Sequence, residues 1–296
     1  MDRLKKHPLG FWEIADKPTP AELQRYYAEK YYQEAKGSYE VEYSKAELAY
    51  FRAKIEQRYA VVYRYRSISD GDVGTMLDVG CGEGYALAFF REHGWRVKGF
   101  DFSSAGVESK NPDCLDALVT GDVFGLLQAE ISDGKVYDVV WLQNVLEHVI
   151  DPIKLLESLR SLLAPRGIAI ITVPNDCSLT QQCALESQHI DRAFWIAPPD
   201  HLSYFDYYSL ANTARATGYD CLDILGDFPV EWFLFHPGSN YVANKSVGKA
   251  AHKARVEIEN LLHKQKTEDV IRFWSAAAKL GIGRDITAFL RSSEKH

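Results

Sequence analysis

The sequence predicts an α/β protein built on a doubly wound, mostly parallel sheet with helices on both faces. Between residues 75 and 173, short apolar segments alternate with connections long enough for crossover helices, a pattern typical of parallel sheets. Residues 139–142 and 168–173 are continuously apolar, as expected for strands that are buried on both faces.

The predicted strands follow one another along the chain. They cover residues 75–79, 96–100, 117–120, 136–142, 168–173 and 221–225. Residues 228–235 (FPVEWFLF) are predicted to add an antiparallel strand at the sheet edge. Helices are predicted over residues 245–264, 267–280 and 285–291.

The chain divides into three regions of different composition. Residues 1–70 are predicted to form an N-terminal helical cap, residues 71–235 the α/β core, and residues 236–296 a C-terminal helical extension. The cap is predicted to contain helices over residues 20–35 and 39–67. Thr19 and Glu22 have the spacing of a helix N-cap and its reciprocal acid. The tyrosines of the first helix either cover the site or pack on the core; they are Tyr26, Tyr27, Tyr31 and Tyr32.

Composition excludes several classes of protein. The 296 residues carry 34 Lys and Arg against 41 Asp and Glu, a net charge of −7, which disfavours a nucleic-acid-binding protein. The five cysteines are odd in number and contain no Cys-x-x-Cys pair, so we expect reduced thiols in a cytoplasmic protein without a metal site. No apolar run approaches the roughly 20 residues of a membrane span. The predicted partners are therefore small molecules.

A glycine-rich turn follows the first predicted core strand. Gly80, Gly82 and Gly84 form a Gly-x-Gly-x-Gly turn two residues after Asp78, and glycines there let a ligand approach the backbone closely. A nicotinamide dehydrogenase would instead have Gly-x-Gly-x-x-Gly to hold a pyrophosphate. Since Asp78 and Glu83 are acidic, the turn favours a ligand that carries positive charge.

Polar residues follow the next three strands as well. Asp101 lies 21 residues after Gly80, where a carboxylate can bind both hydroxyls of a ribose. Asp122 follows the third strand and can accept a hydrogen bond from an exocyclic amine, and Gln143 ends the fourth. Because the carboxyl ends of parallel strands meet at one edge of a sheet, these residues predict a ligand site there.

Five segments of the chain, within residues 70–230, resemble a known family. LDVGCGEG, GFDFS, GDV, DVVWLQNVLEHVIDP and LAPRGIAIITVPN are similar to class I S-adenosylmethionine-dependent methyltransferases, in the subgroup with ubiquinone-biosynthesis O-methyltransferases and sugar methyltransferases. The resemblance implies a Rossmann-like, seven-stranded sheet that ends in an antiparallel strand. It also implies S-adenosylmethionine as cofactor.

The resemblance further implies which residues contact the cofactor. Asp78 and the glycine loop would hold the methionine portion, and Asp101 the ribose. Asp122 and the Val123 backbone would contact adenine, and Gln143 would lie beside the sulfonium. The complete set is Asp78, Gly80, Cys81, Gly82, Gly84, Asp101, Phe102, Asp122, Val123 and Gln143.

Two histidines are candidates for the base that a hydroxyl acceptor would need, since histidine titrates near neutral pH. His201 lies in a Pro-Pro-Asp-His-Leu-Ser-Tyr-Phe segment that resembles acceptor sites of the subgroup, and the alternative is that it caps the next helix. His148 follows the fourth strand, where it is either catalytic or packs beside the cofactor. Tyr204 and Asn240 are predicted to contact the acceptor, and a core role for Tyr204 stays open.

The predicted function is methyl transfer to a small polar acceptor, most simply a hydroxyl of a nucleotide-linked sugar in glycan or polysaccharide biosynthesis. A basic row would bind the diphosphate or form a solvated helix face; it comprises Lys245, Lys249, Lys253 and Arg255. Alternatives are methylation of a quinone or another small metabolite, and a non-catalytic cofactor-binding protein. RNA or protein methylation is disfavoured by the acidic balance, and a homodimer is left open.

Overall fold

The fold is described from a computed structural model, which describes residues 3–23, 25–26, 42–66 and 73–293. The strands are β1 (Leu4–Lys6), β2 (Trp12–Ile14), β3 (Thr75–Val79), β4 (Arg96–Asp101), β5 (Leu118–Thr120), β6 (Tyr137–Gln143), β7 (Leu163–Pro174), β8 (Ser203–Tyr204), β9 (Tyr219–Gly226) and β10 (Asp285–Ser292). The helices are α1 (Lys45–Arg66), α2 (Tyr85–Glu92), α3 (Ala105–Lys110), α4 (Val123–Ser132), α5 (Pro152–Ser161), α6 (Leu179–Glu186), α7 (Tyr207–Ala216), α8 (Gly248–Leu262) and α9 (Thr267–Lys279).

A seven-stranded sheet forms the centre of the molecule, in the order β5-β4-β3-β6-β7-β10-β9. Strands β3 to β7 are parallel to one another, whereas β10 runs antiparallel between β7 and β9. The predicted Rossmann-like, mostly parallel sheet of seven strands is therefore confirmed.

Two apolar cores lie on opposite faces of this sheet, because successive strand residues point to opposite sides. Val140 and Leu142 pack in one core with α4, α5 and α7, while Val139 and Trp141 pack in the other with α1, α2 and α9. All four of these β6 residues are buried. The doubly wound arrangement thus explains the continuous apolar run in this strand.

The sequence-based prediction of the last strand is wrong. Residues Val230–Phe235 form a short 3₁₀ helix, and the antiparallel position is filled by Asp285–Ser292, which was predicted to be helical. Residues 286–290 are buried, with Ile286 paired to both Val173 and Gly226. A strand inserted between two others needs apolar residues on both faces, and this segment supplies them. The region predicted as a helical extension therefore contributes a strand to the core sheet.

The N-terminal region combines predicted and unpredicted features. The capping pair is confirmed, since the Glu22 carboxylate accepts from the Thr19 N–H at 2.8 Å and the Glu22 N–H donates to Thr19 Oγ1 at 3.3 Å. Strands β1 and β2 form an unpredicted hairpin, and β2 pairs with β8. Tyr27, Tyr31 and Tyr32 lie outside the described residues. None of the helices within the described ranges is both long and apolar enough to span a bilayer.

Truncating a β10 side chain tests whether this strand belongs to the core. Phe289 is fully buried, whereas Phe273 on α9 is 52% exposed. We expect Phe289→Ala to lower the free energy of unfolding by about 3–5 kcal/mol, because it leaves a cavity between the sheet and its helices. Urea denaturation measures the change, with Phe273→Ala as the matched control. Equal small effects of the two substitutions would show that β10 is not part of the core.

Candidate active site

The glycine loop connects the end of β3 to the start of α2. Gly80, Gly82 and Gly84 all have positive φ, between 53° and 75°, a region that side-chain-bearing residues rarely adopt. At Gly80, a Cβ atom would also lie 2.5 Å from Val145 Cγ2. This loop therefore requires glycine both for its backbone conformation and for its close contact with the segment after β6.

Asp101 fixes the loop from the end of the neighbouring strand β4. Its carboxylate accepts hydrogen bonds from the Gly82 N–H at 2.8 Å and the Ser103 N–H at 3.1 Å. Burial raises the pKa of Asp101, and these N–H groups oppose that rise. Phe102, next to it, is half exposed.

The predicted adenine contacts lie farther along the same edge, after β5. Asp122 is exposed and caps α4 by accepting from the Gly125 N–H at 2.7 Å. Val123 is buried in the first turn of that helix. The structure thus brings the ends of β3, β4 and β5 to one edge, in the order that the sequence predicts.

A cavity of about 410 Å³ opens beside the glycine loop. Its walls come from the loop, from α1, from the end of β6 and from C-terminal segments, which include Arg255 of the predicted basic row. The lining residues are Tyr50, Phe51, Lys54, Ile55, Arg58, Asp78, Gly80, Cys81, Gly82, Glu83, Gly84, Tyr85, Ala86, Trp141, Gln143, Asn144, Asp227, His252, Arg255 and Asp285.

Most charged groups of this cavity have a partner within the chain. Arg255 lies 3.1 Å from the Asp227 carboxylate, and Lys54 lies 3.7 Å from Glu259. The other two pairs are His252 with Glu47 at 2.9 Å and Glu83 with the Tyr43 hydroxyl at 3.1 Å. The guanidinium of Arg255, a residue of the predicted basic row, therefore points into the protein and is paired there with Asp227.

Three charged groups of the cavity differ, since no oppositely charged side chain of the described residues lies within ion-pair distance. The Arg58 guanidinium donates to the neutral Gln143 amide oxygen at 2.6 Å and lies 5.3 Å from the Trp141 ring centroid. No hydrogen bond from the described residues reaches the carboxylates of Asp78 and Asp285. Burial and the Asp101 charge raise the pKa of Asp78 to about 8. Burial and Asp227 raise the pKa of Asp285 to about 6, against the opposing charges of nearby arginines.

Neither Arg58 nor Asp285 was predicted from the sequence to be a site residue. A signal for Arg58 was present, because Lys54 and Arg58 share the buried stripe of α1 with Ile55, Val61 and Val62. Basic residues in the apolar stripe of a helix are costly to bury and indicate a polar ligand or partner. Asp285 had no comparable signal, since its segment was predicted to be helical.

The two candidate histidines lie together above the ends of β6 and β7. Their ring centroids are 4.8 Å apart. His148 Nδ1 lies 2.7 Å from the Asp200 carbonyl oxygen, which can only accept, so Nδ1 carries a proton in this hydrogen bond. His201 Nδ1 has no hydrogen bond among the described residues and lies 3.6 Å from Asp176 Oδ2. Neither histidine lines the cavity beside the glycine loop.

A buried carboxylate lies beside the two histidines. Glu147 is 1% exposed, and burial raises its pKa to about 8. One ligand atom each from Glu147, His148 and His201 lies within 4.8 Å of the others, a spacing compact enough to hold a cation. The sequence predicts that the site holds no metal, and this remains a prediction.

The side chains of Tyr204 and Asn240 are engaged within the chain. The Tyr204 hydroxyl donates to the His201 carbonyl at 2.9 Å and accepts from the Ala197 N–H at 3.2 Å. Both amide hydrogens and both oxygen lone pairs of Asn240 are used; the partners are His189, Leu234, Val242 and Ala243. We therefore do not include Asn240 in the acceptor site, and Tyr204 orders the segment that carries His201.

Comparison with known proteins identifies the family. Residues 51–224, more than half of the chain, match the model of the methyltransferase domain family. The chain belongs to this methyltransferase family. The predicted class I S-adenosylmethionine-dependent methyltransferase is thus confirmed, together with its cofactor.

The relatives found by sequence similarity match only part of this chain. A ubiquinone biosynthesis O-methyltransferase of Paraburkholderia xenovorans is 28% identical over 51% of this chain and 67% of its own length. Another from Vibrio vulnificus is 34% identical over 37% of this chain and 48% of its own length. A solved 1,6-didemethyltoxoflavin-N1-methyltransferase from Burkholderia thailandensis covers 99% of this chain and all of its own, at 14% identity and a TM-score of 0.49.

The buried Asp78 carboxylate should make the stability of the cofactor-free methyltransferase depend on pH. Its raised pKa means that the folded state holds this proton more tightly than the unfolded state does. The stabilisation is complete below the unfolded pKa and is lost as pH rises through about 8. Between pH 5 and pH 9, we therefore expect the free energy of unfolding of wild type to fall by about 1–3 kcal/mol more than that of Asp78→Asn.

Denaturant titrations at both pH values measure this difference. Asp133→Asn is the control, because Asp133 is exposed at the end of α4. A constant difference between Asp78→Asn and wild type across this range would refute the proposed titration.

Proposed function

We propose that the methyltransferase binds S-adenosylmethionine in the cavity beside the glycine loop and transfers its methyl group to a hydroxyl of a small polar acceptor. The observation that carries the proposal is a match of charges. The cofactor has one carboxylate, one ammonium and one sulfonium, and the cavity offers one guanidinium and two carboxylates that no described side chain of opposite charge meets at ion-pair distance. Buried charges are costly unless they are paired, so the cofactor supplies what these side chains lack.

Each part of the cofactor has a proposed partner in the chain. Arg58 binds the methionine carboxylate, and Asp78 with the glycine loop binds the ammonium end. Asp101, already fixed by loop N–H groups, binds the ribose hydroxyls, and the residues after β5 border the adenine. Gln143 orients Arg58 and lies beside the reacting sulfur.

The chemistry that the cofactor supplies when bound is a methyl group activated by a sulfonium leaving group. The chain's own task is to align the acceptor with that group, exclude water and take up the hydroxyl proton. We propose His201 for the proton, with His148 as the second candidate, because both imidazoles lie at the edge where β6 and β7 end. The polar surroundings of these histidines favour a sugar hydroxyl.

A phenolic hydroxyl of a quinone precursor is the second candidate acceptor. The relatives named ubiquinone biosynthesis O-methyltransferase favour it. Both acceptors lose a hydroxyl proton during transfer, so the proposed role of His201 is the same for each.

Replacing Arg58 tests the cofactor site without knowledge of the acceptor. We expect Arg58→Gln to weaken binding of S-adenosylmethionine and of S-adenosylhomocysteine about equally, by roughly 10- to 100-fold, since both contain the same carboxylate. Calorimetric titration measures both affinities. Arg52→Gln is the control, because Arg52 lies on the same helix but is half exposed and pairs with Glu56 and Glu92. Unchanged affinities in Arg58→Gln would place the carboxylate elsewhere.

Transfer of a deuterated methyl group tests the function itself. Mass spectrometry follows labelling of nucleotide-linked sugars, free sugars and phenolic quinone precursors, and we expect an O-methyl product.

His201→Ala should lower turnover by about 10²–10⁴-fold and leave cofactor binding unchanged. His236→Ala is the control, because His236 is exposed. Full activity of His201→Ala would remove His201 as the base, and labelling of nitrogen alone would refute O-methylation.

A further inference from the structure

Asp285 reaches the cavity because of its place in the sheet. It is the first residue of β10, which runs antiparallel to β7, and it pairs with Pro174 at the end of that strand. The start of β10 is therefore the part of the strand that lies at the carboxyl edge of the parallel strands. The same edge carries Gln143, and both residues line the cavity beside the glycine loop.

The backbone N–H of Asp285 is hydrogen-bonded, whereas its carboxylate accepts no hydrogen bond from the described residues. The Asp285 N–H donates to Asp227 Oδ1 at 2.8 Å, and Asp227 Oδ2 accepts from Arg255 Nη2 at 3.1 Å. Each oxygen of the Asp227 carboxylate therefore already accepts a hydrogen bond. In contrast, no hydrogen bond or ion pair within the described ranges engages the Asp285 side chain, although the charges of Arg58, Arg255 and Arg284 act on it from a greater distance. A rigidly placed carboxylate that no described side chain contacts by a hydrogen bond is suited to bind a cationic ligand.

We infer that Asp285 pairs with the sulfonium of bound S-adenosylmethionine and makes the cavity prefer this cofactor over S-adenosylhomocysteine. The inference rests on the proposed cofactor site, in which Arg58 and Asp78 bind the carboxylate and the ammonium of the methionine portion. With those charges assigned, the sulfonium and Asp285 are the pair that remains. Asp285 lies outside the matched family segment, residues 51–224.

The affinity of the cavity for its ligand should therefore fall when the methyl group is transferred and the cofactor becomes S-adenosylhomocysteine. S-adenosylhomocysteine contains a neutral thioether in place of the sulfonium, so it loses the attraction to Asp285. The cavity then binds the product more weakly than the substrate, which favours product release. Because the same attraction is weaker in the transition state, Asp285 contributes to cofactor affinity rather than to the rate of the bound complex.

A second role for Asp285 predicts a different result. If its charge only oriented Arg58 and Arg255 in the wall of the cavity, its removal would disturb the site of the methionine carboxylate. Both cofactor and product contain that carboxylate, so both would lose affinity equally. Comparing the two ligands therefore separates a sulfonium partner from a structural charge.

Calorimetric titration of Asp285→Asn with both ligands is the test. We expect S-adenosylmethionine affinity to fall by about 10- to 100-fold and S-adenosylhomocysteine affinity to stay within about twofold. Sinefungin, in which an amine-bearing carbon replaces the methylated sulfur, should follow S-adenosylmethionine because it carries a positive charge at the same place. Asp220→Asn is the matched control, since Asp220 is exposed at the opposite end of the β9–β10 pair.

The outcomes distinguish this inference from the proposed function. Equal losses for both ligands, unchanged affinity for both, or sinefungin behaving like S-adenosylhomocysteine would each overturn the role of Asp285 while leaving the cofactor site intact. If wild type bound neither ligand, the proposed site and the inference would fall together. Thermal unfolding verifies that Asp285→Asn is folded, and Asp285→Ser provides a second variant with the same expected pattern.

Discussion

The architecture of the site depends on one electrostatic constraint, which is that charges buried in a protein must be neutralised. Arg58, Asp78 and Asp285 face one cavity and form no ion pair with any described residue, whereas Lys54 and Arg255 in the same walls are paired. Removing a charge from water costs several kcal/mol unless a partner compensates. An arrangement of this kind is stable in a folded protein when a ligand of complementary charge completes it.

The fold brings these three groups together from distant parts of the chain. Asp78 lies near the end of the first core strand, two residues before the glycine loop, so local structure alone places it there. Arg58 comes from a long helix that covers the loop, and Asp285 from a strand inserted into the sheet near the end of the chain. The matched methyltransferase segment, residues 51–224, therefore supplies only part of the cavity wall, and C-terminal residues close the rest.

The sequence predicted those parts of the site that are contiguous or regularly spaced. The glycine loop, Asp101 and the ends of the parallel strands follow from local patterns of glycine, apolar residues and acids. Asp285 could not be found in this way, because its place depends on pairing with a strand that is distant in sequence. The segment at 230–235 is aromatic and apolar like a strand, yet β10 occupies the sheet position that it would have filled.

A crystal structure of the complex with S-adenosylhomocysteine tests the central claim most directly. The account predicts that the methionine carboxylate lies within hydrogen-bond distance of the Arg58 guanidinium, with the ribose hydroxyls on Asp101 and the sulfur facing Asp285. A ligand bound with its carboxylate away from Arg58, or in another part of the molecule, would contradict it.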